Sequence, residues 1–83
     1  QNMLYYMYMI KEKHMTYEFV CKPNPDFNFD ELKVFSETHG CDYNLVLGAD
    51  YPISFTSDNF DYIDEARDQL LFAKIEVSEI VEV

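Results

Sequence analysis

The chain predicts a small α+β domain, and three observations carry that reading. Residues from Met15 onward alternate apolar and polar side chains with the period of two of a half-buried strand. Two later segments carry apolar residues at helical spacing, and each is bounded by capping or stop residues. The order from Met15 is strand, helix, strand, strand, helix, strand, within 83 residues that hold a single small core.

Each element has its own signal. Met15, Tyr17, Phe19 and Cys21 alternate with Thr16, Glu18 and Val20, and Pro23 and Pro25 then end the strand. Asn28 followed by Glu31 reads as a capping box, which predicts a helix over Phe29–His39 with Leu32 and Phe35 inward and Gly40 as its stop. Cys41, Tyr43, Leu45 and Leu47 form the inward set of the next strand. Tyr51, Ile53 and Phe55 form that of its hairpin partner, across a turn at Gly48, Ala49 and Asp50. Pro52 has no amide to donate, so it belongs at a strand start or faces away from a partner. Ser57 or Asp58 is expected to cap the second helix, whose apolar face is Ile63, Ala66, Leu70 and Ala73. Ile75, Val77, Val81 and Val83 give a last strand with a bulge near Ser78.

This order resembles the ferredoxin-like split arrangement, β-α-β-β-α-β, with a four-stranded antiparallel sheet and two helices on one face. That fold hosts many unrelated functions, so function has to be read from a site. Residues 1–14 form an apolar N-terminal extension ahead of the single α+β domain of residues 15–83. The run Met3–Ile10 is expected to be an extra strand or one arm of a hairpin with Met15–Cys21, and its exposed edge points to a possible homodimer. At eight residues it is too short to span a bilayer, and it has no basic region before it, so a soluble cytoplasmic protein is expected.

Charge excludes several function classes. Sixteen Asp and Glu stand against six Lys and Arg, a formal charge of −10, so direct binding to nucleic acid or to an anionic membrane is disfavoured. The 48% apolar and 17% aromatic content is too high for a disordered acidic tail. Cys21 and Cys41 are not closely spaced and read as buried free thiols. His14, Cys21, His39 and Cys41 lack metal-ligand spacing, and Asp58, Asp61, Asp64 and Asp68 lack the alternating acids and central glycine of a calcium loop. Two histidines and two glycines leave little for a nucleophile with its base or for a phosphate loop, so neither cofactor nor catalysis is expected.

The acids themselves are patterned. Asp58, Asp61, Asp64, Glu65 and Asp68 recur at spacings of three and four, which places them on one helical face opposite the apolar stripe. Solvation of an amphipathic helix and the positive end of its dipole explain Asp58 and Asp61. The remaining acids repel one another, and Arg67 is the sole basic residue in the segment. Tyr62 and Phe60 border the ridge, and carboxylates mixed with aromatic rings receive Arg and Lys well. This size and composition resemble phage-encoded nucleic-acid mimics, including anti-CRISPR and anti-restriction proteins. The resemblance implies inhibition of a nucleic-acid-binding complex through its basic channel, with Asp58, Asp61, Tyr62, Asp64, Glu65 and Asp68 at the contact. The competing expectation is an oligomerising or adaptor domain that uses Met3–Ile10, with the acidity serving solubility.

Overall fold

The computed structural model describes residues 15–83, so the expected N-terminal strand or hairpin of residues 1–14 lies outside the described residues. Seven elements follow: β1 (Tyr17–Lys22), α1 (Glu31–His39), β2 (Asp42–Leu45), β3 (Ile53–Ser57), α2 (Phe60–Phe72), β4 (Glu76–Val77) and β5 (Val81–Glu82). The architecture is α+β, with two helices and an open antiparallel sheet. Strand order is β2-β3-β1-β4, with β5 also paired to β1.

Alternation along β1 and β3 builds the core. Phe19 lies opposite Phe55 and Cys21 opposite Ile53, so these four side chains share one face, and all four are buried. The rings of Phe19 and Phe55 stack at 5.3 Å between centroids. Leu32 from α1 and Ile63, Ala66 and Leu70 from α2 close over them in one cluster. Each large apolar side chain buried there contributes about 1.5–3 kcal/mol. The helices run antiparallel: His39 meets Glu65 at one end, while Leu32 and Phe35 share a cleft with Gln69, Leu70 and Ala73 at the other.

Several expected boundaries shift, each for a local reason. The Asn28 side chain accepts from the Asp30 amide at 3.0 Å, and Asn28 and Phe29 carbonyls accept from Glu31 and Leu32. These tight turns use up residues 28–30, so α1 starts two residues later than the Phe29–His39 expectation and the Asn28 capping box does not form. Strand β2 stops at Leu45; Tyr43 and Leu45 keep to the inner face, opposite Phe55 and Ile53, but are exposed because β2 is the sheet edge among the described residues, and Leu47 lies exposed beyond the strand. Pro52 precedes β3, and its carbonyl accepts from the Val46 amide at 2.7 Å. Ala73, expected in the core, is exposed where α2 ends.

The last strand divides in two. Cys21 lies opposite Val77, whereas Glu18 lies opposite Val81, so three steps along β1 are matched by four along the C-terminal segment. One extra residue is therefore accommodated between β4 and β5, a bulge beginning at Ser78. Its hydroxyl accepts from the Val20 amide at 2.9 Å, and its own amide donates to the Val20 carbonyl at 2.8 Å.

Both helices end alike. Gly40 takes φ 65 after α1, and Lys74 takes φ 64 after α2. In each case the next amide reaches back over the last turn, Cys41 to Ser36 and Ile75 to Leu70, and that next residue is buried. At Gly40 the left-handed backbone is joined by a steric limit, since a Cβ there would lie 2.8 Å from Cδ2 of Tyr62. Gly48 also has positive φ, 87, but open space around it.

These two glycines make a controlled pair. Gly48→Ala meets backbone strain alone, on the order of 1–2 kcal/mol. Gly40→Ala must in addition displace the Tyr62 ring, so its urea midpoint is expected to fall further than that of Gly48→Ala; equal midpoints would refute the ring contact.

Candidate functional site

The acidic face is positioned by the start of α2. Asn59 has an extended backbone, φ −107 and ψ 111, and its side chain accepts from the Asp61 and Tyr62 amides at 3.0 and 3.3 Å. Asn59 is thus the cap in place of the expected Ser57 or Asp58, while the Ser57 hydroxyl accepts from the Asn59 amide at 3.0 Å. Helix α2 begins at Phe60, so Asp58 lies before it and off the ridge. Asp58 instead lines a small recess with Asp42, Thr56 and Ser57 at the end of β2 and β3.

Within the helix the expected alignment holds. At about 100° per residue, Asp61, Asp64, Glu65 and Asp68 occupy an arc of roughly 100° centred opposite Ile63, Ala66 and Leu70. Those three apolar residues are buried, so the carboxylates are directed to solvent; Asp64 is half-buried and the other three are exposed. Packing of the apolar stripe against β1 and β3 holds the acids on a rigid support.

Arg67 does not neutralise this face. Its Nε donates to the Ser78 carbonyl at 2.6 Å, and its terminal nitrogen lies 4.0 Å from Glu79. The sole cation of α2 is committed to the bulge between β4 and β5. His39 is the other nearby group, with Nδ1 3.6 Å from a Glu65 oxygen and its ring 4.5 Å from that of Phe35.

Aromatic side chains flank the ridge on the α1 side and at its C-terminal end. The Tyr62 ring rests on Gly40, is half exposed, and lines a recess of about 320 Å³ with Glu37, Thr38, His39 and Glu65. Phe72 was not among the residues expected from sequence, yet it is 88% exposed and stands eleven residues after Asp61. That spacing returns it to the acidic arc, so the row Asp61, Glu65, Asp68, Phe72 was available as a signal. Phe60, in contrast, packs edge-on against Tyr17 at 5.3 Å on the other flank.

Other chemistry finds no such assembly. Cys21 and Cys41 are free, buried, and at opposite ends of β3 in the register. Burial pushes both thiols up to about 11, with the Asp42 charge adding to the effect at Cys41. They are neutral near pH 7 and poor nucleophiles. Among the described residues no three His, Cys, Asp or Glu side chains gather as a metal site, and no helix is long and apolar enough to cross a membrane.

Two measurements follow from this arrangement. Arg67→Ala removes a charged donor from the Ser78 carbonyl, which is expected to cost about 1.5–3 kcal/mol in urea unfolding and to speed amide exchange at Val20 and Ser78. Unfolded thiols ionise near pH 9 and the folded ones near pH 11, so the unfolded chain releases protons first and stability declines as pH rises between those values. At pH 10 the loss is roughly 1 kcal/mol per thiol, and a variant carrying Cys21→Ala and Cys41→Ala should show a correspondingly smaller drop between pH 8 and 10. Comparison with family models, curated proteins and solved structures yields no match for the chain, so a functional reading rests on the acidic face of α2.

Proposed function

We propose that this chain is a small acidic binding protein that inhibits a nucleic-acid-binding complex by occupying its basic channel, in the manner of anti-CRISPR or anti-restriction nucleic-acid mimics. The observation that carries this reading is the acidic arc of α2, with which no Lys or Arg pairs among the described residues. Asp61, Asp64, Glu65 and Asp68 lie opposite the core stripe, while Arg67 is turned away to Ser78. Carboxylates three and four residues apart are about 5–6 Å apart at their Cβ atoms, comparable with successive phosphates along a strand.

The mechanism is competition without any chemical step. Lys and Arg that ordinarily meet phosphates pair with these carboxylates, and Tyr62 and Phe72 supply ring faces for the cations and apolar contact beside them. Asp58 contributes charge from the neighbouring β3–α2 connection and not from the ridge itself. The supporting scaffold is read as ferredoxin-like, with β4 and β5 together as the fourth strand. The order β2-β3-β1-β4 and antiparallel pairing throughout favour that assignment.

The reading is tested by capture from host lysate at low and high salt, followed by titration of the chain into the captured protein bound to its nucleic acid. Release of the nucleic acid by the chain, with affinity falling steeply as salt rises, is expected. Joint replacement Asp61→Lys, Glu65→Lys and Asp68→Lys should weaken binding by about a hundredfold or more. Affinity left unchanged by that triple reversal would remove the ridge from the interface and the proposal with it.

A further inference from the structure

Strand β2 lies at one edge of the described sheet. Among the described residues β2 has one neighbour, β3, and the Val46 amide bonds the Pro52 carbonyl. Val46 and Pro52 continue the register in which Asn44 faces Ser54 and Asp42 faces Thr56. Hydrogen-bonded positions alternate along an antiparallel pair, so Asp42 and Asn44 face β3 with their backbone groups. The amides and carbonyls of Tyr43 and Leu45 then point outward from the sheet. Their side chains lie on the helix-bearing face, being opposite Phe55 and Ile53, and both are exposed, at 38% and 44%. Leu47, at the next same-face position, is exposed beyond the strand, and Val46 is exposed on the opposite face with Asn44.

We infer that β2 is the seam of a two-fold homodimer in which two copies pair these edges antiparallel about Asn44. In that register Tyr43 lies opposite Leu45 of the second copy, and Leu45 opposite its Tyr43, as two reciprocal hydrogen-bonded pairs. The side chains meet as an aromatic residue against an aliphatic one on each side of the axis, an arrangement that stabilises sheets. Asn44 meets Asn44, whose amides donate and accept mutually, and Asp42 meets Val46. No like charges stand directly opposite, which makes this short edge self-complementary in the sense a two-fold interface requires. The seam is short and each copy carries a charge of −10, so long-range repulsion opposes it and the dimer is weak. Screening removes that repulsion, so association strengthens with salt, the opposite sign from binding of a basic partner by α2.

Sedimentation equilibrium of the full chain, at up to about 1 mM and in salt from about 50 to about 500 mM, reads this directly. Dimer is expected to increase at least about fivefold in association constant across that range. Tyr43→Pro removes an outward amide together with the seam ring while leaving the bonds to β3 in place, and Leu45→Lys places a charge at the seam; each should lower association at least about tenfold with the far-ultraviolet circular dichroism retained. Leu45→Lys decides the matter should the proline variant fail to fold. A chain that stays monomeric throughout, or a dimer indifferent to Leu45→Lys or weakened by salt, would overturn the seam.

Discussion

The junction of Val20, Ser78 and Arg67 governs both the sheet and the charge of its covering helix. Val20 sits midway along β1, the strand to which β3, β4 and β5 all pair. Where the C-terminal segment carries its extra residue, Ser78 supplies a hydroxyl to take the Val20 amide and an amide to reach the Val20 carbonyl. That leaves the Ser78 carbonyl, and Arg67 claims it. A hydrogen bond from a charged group contributes about 1.5–3 kcal/mol, whereas each like-charge contact on an exposed helix face costs a few tenths. Binding Arg67 at the bulge therefore outweighs the repulsion it leaves among Asp64, Glu65 and Asp68. The lack of a helix cation on the acidic face and the division of the last strand thus meet in one residue, Arg67.

A second constraint ties the aromatic border of that face to the end of the other helix. Gly40 and Lys74 turn the chain in the same left-handed way and send a buried residue, Cys41 or Ile75, into the core. Lys74 shows that a side chain is tolerated at such a turn, at a strain of about 1–2 kcal/mol. At Gly40 the space is filled by Tyr62. The missing Cβ lets the ring approach the α1 terminus, half exposed beside Glu65. The position of an interface candidate on α2 is thus set by a glycine that looks, in sequence, like a helix stop and nothing more.

How far the structure was legible follows from which signals were local. Alternation placed β1 and β3, and the spacing of Ile63, Ala66 and Leu70 placed the buried face of α2, because each pattern reports a single surface. Caps were less legible. Ser57, Asp58 and Asn59 can all accept from a helix start, and the choice fell to Asn59 because the backbone is still extended there after β3. Asn28 satisfied the pattern of a capping box yet bonded Asp30, a competition that composition does not decide. Tyr43 and Leu45 were assigned to the correct face of β2, but their exposure depends on β2 being at the edge, which only the strand order tells. On the ridge, counting acids alone included Asp58, which the cap excludes, and passed over Phe72, which shares the arc.

The composition of the ridge bears on how readily it can bind. Three of its four helical carboxylates are Asp, and a short side chain has less rotamer freedom to lose on pairing than Glu, for which the loss reaches about 1.5–2 kcal/mol. The one Glu is the residue held near His39, so part of its freedom is already restricted. Side-chain ordering is among the main costs of association, and the apolar stripe beneath the arc has already fixed the backbone. Arg67 need not be displaced before a partner's cations arrive, since its bond to Ser78 lies on another flank. In the proposed complex an incoming Lys or Arg would meet carboxylates that, among the described residues, have little internal pairing to give up, with Tyr62 and Phe72 alongside to cover its aliphatic stem.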